Sequence, residues 1–141
     1  MSSYPDPENL IIQPEEVEIE AVPAQGGFFD IDSLPGFSPF EGIEMSVLNG
    51  GRMMANWVHL APGAIVPDHA HPHEQLGLVL EGEIEMTIGG ETRTAGPGTA
   101  YVVPGGVQHR GVGGPSGCLV LDIFSPPRAD YLAQLTGDDT D

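Results

Sequence analysis

His69-Ala-His71-Pro-His73-Glu74-Gln75 and, downstream, Gly98-Thr-Ala-Tyr-Val-Val-Pro104-Gly-Gly106-Val-Gln-His109 are the two stretches on which the reading of this chain turns. His69 and His71 are two residues apart, so on an extended strand both imidazoles point to one side. Gln75 keeps that parity and can add an oxygen ligand. His109 belongs to a separate strand–turn unit, so a site that includes it is closed by non-local pairing. Imidazole nitrogens suit zinc, nickel or iron(II), and three of them with one amide oxygen leave positions open for a substrate.

Around these stretches the chain reads as β-structure. Short apolar runs fall at 43–48, 52–60, 64–69, 75–80, 83–88, 91–94, 99–103, 107–112 and 117–124. Twenty glycines and fourteen prolines punctuate them without forming a repeat, which is the pattern of an all-β domain with tight turns. Glu81-Gly82 is expected to break one run, and Gly89-Gly90 is a two-residue hairpin signal. After Phe124 the period changes: Ser125 as cap, Pro126 at the first helical position and Leu132 and Leu135 three apart predict one short C-terminal helix. The predicted organisation is a flexible arm over 1–14, a β-barrel domain over 15–135 and an acidic tail over 136–141. Within it, 16–22 alternates charged and apolar residues as a half-exposed edge strand would. Residues 25–40, with four phenylalanines, read as an irregular connection.

Composition narrows the partners. Twenty-one acidic residues face four arginines (Arg52, Arg93, Arg110 and Arg128) and no lysine, for a net charge of −17. Nucleic acid and anionic membrane are excluded as partners on that balance. Lysine-free, acid-rich composition resembles that of proteins from salt-accumulating halophiles, where a Debye length of about 3 Å at molar salt screens the self-repulsion. Cys118, the only cysteine, lies in an apolar run and reads as a small buried hydrophobe. There is no basic, apolar leader at the start and no run near the ~18 apolar residues of a membrane span, so the expectation is a cytoplasmic protein.

Gly63-x5-His69-x-His71-x3-Gln75-x6-Gly82 resembles the first motif of the cupin superfamily, with Gln where Glu is commoner. Gly98-x5-Pro104-x-Gly106-x2-His109 resembles the second, with Gly113 where Asn is frequent. The resemblance implies a single-domain, small jelly-roll β-barrel with a divalent transition metal (zinc, nickel, iron or manganese) in its mouth, usually in a homodimer. A narrower resemblance adds Gly77-Leu-Val-Leu-Glu-Gly-Glu83, Thr87-Ile-Gly-Gly-Glu91 and Leu121-Asp-Ile-Phe-Ser-Pro-Pro-Arg128, and is to the pectin-degradation cupins. Those convert 4,5-unsaturated uronate monosaccharides to linear keto-deoxyuronates. It implies His69, His71, Gln75 and His109 as metal ligands, and Asp122, Phe124 and Arg128 as catalytic residues, in an isomerase- or lyase-like enzyme taking a small anionic sugar.

The residues weigh as follows. A Gln in place of Glu leaves every ligand neutral, so a divalent ion keeps its full charge toward an anion. Asp122 shares a strand face with Cys118, Val120 and Phe124, and a carboxylate on a buried face must be paired, metal-bound or functional. Arg128 is either its salt-bridge partner or the group that holds a substrate carboxylate through two parallel hydrogen bonds, with Asp122 as general acid/base. His73 reads as a rim residue or fifth ligand, and His59 as a satisfied core or wall histidine. Trp57 and Tyr101 line the pocket or pack the barrel, and the glutamates of 81–85 form a solvated face. Two other classes stay open: a dioxygenase or polyketide-cyclase cupin, and a non-catalytic sugar-binding cupin.

Overall fold

Alternation of apolar and polar residues drives the first layer of structure. In the computed structural model, which describes residues 21–136, Ile43, Met45 and Val47 point inward from one strand and Met54, Val58 and Leu60 from the next. A short 3-10 turn (Ile31–Ser33) precedes eight strands: β1 (Gly36–Phe40), β2 (Ile43–Asn49), β3 (Met54–Leu60), β4 (Ile65–His69), β5 (Glu74–Ile88), β6 (Glu91–Ala95), β7 (Ala100–Val103) and β8 (His109–Ser125). A single helix, α1 (Ala129–Leu135), follows. The expected arm over 1–14, residues 16–20 of the expected edge strand and residues 137–141 of the tail lie outside the described residues.

All pairings are antiparallel, in the order β1-β2-β3-β8-β5-β6, with β4 on β8 and β7 on β5. The two long strands make the barrel. The later half of β8 lies between β3 and the start of β5, while its first residues pair with β4 and the end of β5. The eight strands form one hydrogen-bonded sheet that folds into two layers, here called two sheets, and its long strands turn the corner between them at bulges. Here the register shifts between Val79 and Glu81 and between Gly82 and Ile84. The core runs through both sheets: Ile43, Met45, Val58, Leu60, Val79, Ile84, Met86, Ala95, Cys118 and Val120 form one cluster. Val47, Met54 and Phe124 form a second beneath α1, whose Leu132 and Leu135 pack on it. Burial pushes the Cys118 thiol up to about 11, consistent with an inert, buried hydrophobe.

Several expectations are corrected. Glu81-Gly82 does not end a strand; it is a bulge within the 15-residue β5. The runs at 107–112 and 117–124 are likewise one strand, β8. Residues 25–40 are not wholly irregular, since β1 pairs with β2 at the sheet edge, where Pro39 owes no ladder donor. Ser125 still pairs with Glu74 and donates to the Arg52 carbonyl (3.0 Å), so the helix begins after Arg128 instead of at Pro126. No helix among the described residues is long and apolar enough to cross a membrane.

Candidate metal centre and active site

His69 ends β4, His109 opens β8, and the two are directly paired across that ladder. His71 sits in the turn between β4 and β5, and Gln75 on the inner face of β5. The pair His69/His109 therefore belongs to one sheet, and Gln75 to a stretch of β5 held by β7 and the end of β8. Closure of the barrel brings them together. His69, His71 and His109 offer ligand atoms that all lie within 4.8 Å of one another. His73 is not in that group; its carbonyl receives His71 Nδ1–H (3.1 Å), and its ring lies edge-on to His71 at 5.4 Å.

The hydrogen bonds fix what these rings present. His69 Nδ1 faces the Pro67 carbonyl at 2.9 Å, His71 Nδ1 that of His73, and His109 Nδ1 that of Val107 at 2.9 Å. A carbonyl only accepts, so each Nδ1 carries a hydrogen, which in a neutral ring leaves the lone pair on Nε2. His109 Nε2 is buried without any partner. Burial, aided by the Arg128 and His109 charges, lowers the His71 pKa to about 4, and burial lowers that of His109 as well. Both rings are neutral at neutral pH. His71 Nε2 then faces Gln75 Oε1 at 3.1 Å with a lone pair on each side. Two acceptors at that separation suit a cation between them, since bonds of about 2.0–2.2 Å place neighbouring ligands at roughly this distance. The donor set fits a divalent transition ion, with Gln75 as the fourth group.

Beside it runs an inner rung of four strands: Asn56 on β3, Asp122 on β8, Gly77 on β5 and Tyr101 on β7. Asp122 accepts from the Tyr101 hydroxyl (Oδ1, 3.1 Å) and from the Gln75 side chain. Burial nevertheless raises its carboxyl from 3.8 to about 6, with those two donors and the Arg128 charge opposing the rise. Asn56 is fully buried; its amide donates to Met45 Sδ (3.4 Å), and its Oδ1 has no partner.

Phe124 is 2% exposed and stands edge-on to His71 (5.6 Å) and Tyr131 (5.7 Å). Arg128 does not pair with Asp122. Its Nε and Nη2 bind Asp130 at 3.0 and 2.8 Å, and its guanidinium lies over the Tyr131 ring at 4.0 Å. The expected two-bond grip on a substrate through that edge is therefore already taken by Asp130. Arg128 Nη1 is buried and has no partner.

Two hollows meet at His69. An interior space of about 40 Å³ touches Gln75, Tyr101, His109, Asp122 and Phe124. A mouth hollow of about 380 Å³ is bordered by Phe37, Val66, Arg128, Asp130 and Tyr131. Ligand hollows run to roughly 300–1,000 Å³, so the mouth has room for a monosaccharide, and the interior space leads from it at His69 to Asp122. A larger groove, about 1150 Å³, lies on the outer side of the sheet and is lined by none of His69, His71, Gln75, His109, Asp122 or Arg128. His59 borders that groove and is exposed, and Trp57 faces outward too, so neither is a core or pocket residue. Strand parity explains both, because Val58 and Leu60 take the inward positions. Glu81, Glu83 and Glu85 are solvated.

Sequence reasoning assigned nothing to Asp130, Tyr131 or Asn56. The first two sit just beyond Arg128 in a segment read only as helix, and Asn56 looked like any polar residue in a strand.

The fold has counterparts among known proteins. The cupin-domain family profile matches residues 56–124. The chain is 35% identical over 107 residues to the pectin degradation protein KdgF of Dickeya dadantii, covering 74% of this chain and 97% of that protein. Its fold is similar to the structure of KdgF from Halomonas sp., with 33% identity, 75% and 98% of the two chains covered and a TM-score of 0.70. It is also similar to an RmlC-like cupin from Shewanella frigidimarina, with 27% identity, 80% and 99% covered and a TM-score of 0.71.

Proposed function

The chain belongs to the cupin family, and from that premise we propose that it is a metal-dependent enzyme of polyuronate breakdown, opening the ring of 4,5-unsaturated uronate monosaccharides to give linear keto-deoxyuronates. The observation that carries the reading is a carboxylate-free His69–His71–His109–Gln75 donor set beside a carboxyl, Asp122, whose pKa burial raises to about 6. The relationship to the pectin degradation protein KdgF supports the substrate class.

In such a substrate the ring oxygen joins C1, a hemiacetal carbon, to C5 of a C4=C5 double bond that bears the carboxylate. Breaking the C1–O5 bond leaves an aldehyde at C1 and an enol at C5. The hemiacetal hydroxyl gives up a proton, C4 gains one, and the C5 enol becomes a ketone. No atom is gained or lost, so the net reaction is an isomerisation. A divalent ion on His69, His71, His109 and Gln75 would supply positive charge for the oxygen that becomes negative. Asp122, with its pKa near 6, both accepts and delivers protons at neutral pH. Arg128 offers Nη1 to the substrate carboxylate, while Asp130 and the Tyr131 ring keep the guanidinium in place. Phe124 walls the space between Arg128 and His71 and keeps water out.

We also propose that two copies work as a pair, joined through the outer face of the sheet. Two outward rungs, Leu48-Ala55-Ile123-Leu76-Val102 and Ser46-Trp57-Leu121-Leu78-Ala100, carry no charge in a chain of net charge −17. Leu76, Leu78 and Val102 on them are 42%, 38% and 53% exposed.

The test is proton NMR of metal-loaded protein with 4,5-unsaturated galacturonate, beside an Asp122→Asn variant. The vinylic H4 signal is expected to vanish faster than in buffer as the linear keto product appears, and slowly with the variant. Decay at the buffer rate by protein that holds its metal would overturn the reading, and oxygen uptake would then be measured for the dioxygenase alternative.

A further inference from the structure

Gly77 lies on the inner face of β5, between Tyr101 on one neighbouring strand and Asp122 on the other. A Cβ built on Gly77 would collide with the ring and the hydroxyl of Tyr101. The ring occupies the volume that a side chain at 77 would fill, and in doing so it crosses the whole width of β5. Only by that route does a residue of β7 reach β8, where its hydroxyl donates to Asp122 Oδ1 at 3.1 Å.

We infer that Tyr101, admitted by Gly77, is the positioning residue that sets the direction in which Asp122 presents its carboxyl to the reacting carbon; this rests on the uronate reading above. Three observations support it. The hydroxyl keeps its proton, since burial and the Asp122 charge push its pKa well above 10, so it is a permanent donor. The residue on the other side of the rung, Asn56, directs its amide to Met45 Sδ instead. The other donor to Asp122 is Gln75, whose Oε1 faces His71 in the metal site. Tyr101 is thus the anchor that does not depend on the ion. A proton delivered to carbon needs donor and carbon aligned at near-attack distance, so a carboxyl free to turn loses rate even though the substrate still binds.

The experiment compares Tyr101→Phe with the wild-type chain, both metal-loaded, by kinetics on 4,5-unsaturated galacturonate and by crystal structure. Phe keeps the ring over Gly77 and removes only the hydroxyl. The expected result is a kcat lower by about 10–100-fold, as for other partners one step removed from a reacting group, with KM within about twofold and metal content and melting temperature unchanged. The crystal structure is expected to show Asp122 turned or in two conformers. Gly77→Ala should produce the same kcat loss by displacing the ring, even where its stability falls. A Tyr101→Phe variant with wild-type kcat, or one in which Asp122 keeps its conformer unaltered, overturns the inference. Should the wild-type chain leave the uronate untouched, the functional reading fails and the crystal structure alone decides whether Tyr101 orients Asp122.

Discussion

His71 shows how much a single ring can report. It is 8% exposed, and the fold holds its pKa at about 4 against 6.5 in an unfolded chain. The unfolded chain therefore takes up a proton below pH 6.5 that the folded chain refuses until about pH 4. Stability from this residue is complete above 6.5 and is lost as the pH falls toward 4, by up to roughly 3 kcal/mol. Thermal melts of chelator-treated protein are expected to fall between pH 7 and pH 4.5 more steeply for the wild type than for His71→Gln. Parallel curves would show that His71 carries no such penalty. The cluster of His69, His71 and His109 was legible because each lies in a motif whose spacing is local to its own strand and turn. Asp122 and Phe124 were legible by parity along β8. The Arg128–Asp130 pair was not, because nothing in a sequence says which of two nearby carboxylates an arginine will choose.

At the scale of elements, β5 and β8 each belong to both sheets, and the bulge at Gly82 lets β5 do so. Gly82 has φ +71°, and a Cβ there would meet the Gly117 carbonyl and Cys118 Cα, both backbone. Gly82→Ala combines left-handed strain with a clash that no rotamer relieves, and is expected to cost about 2 kcal/mol or more. Denaturant unfolding would read this as a lower midpoint at an unchanged slope. An unchanged midpoint would mean that the corner does not depend on this residue. A run of turn residues in sequence looks the same whether the chain reverses or merely bulges, so one continuous strand read as two. The β1 strand was missed for the converse reason: Gly36 and Pro39 signal a loop, yet an edge strand tolerates both. The helix was expected three residues early because Glu74 extends the β8 ladder as far as Ser125.

At the scale of the molecule, two bodies of net charge −17 must meet if the uncharged outer rungs are to pair. Screening lengths fall from about 30 Å at 0.01 M salt to about 3 Å at 1 M. Light scattering is expected to give twice 14.8 kDa at molar salt and to drift toward the monomer at low salt. Leu78→Glu is expected to remain monomeric in both. A mass indifferent to salt and to Leu78→Glu would remove the proposed surface. The sequence by itself determined the strand alternation, the all-β class, the family and which histidines stand out, because each is written in spacing along the chain or in residue type. Only the tertiary structure decided that His69 and His109 face Gln75 across a closed barrel, that Asp130 holds Arg128, and that Gly77 lets Tyr101 reach Asp122. Those depend on register between strands far apart in sequence, and register is fixed by packing both sheets around one core.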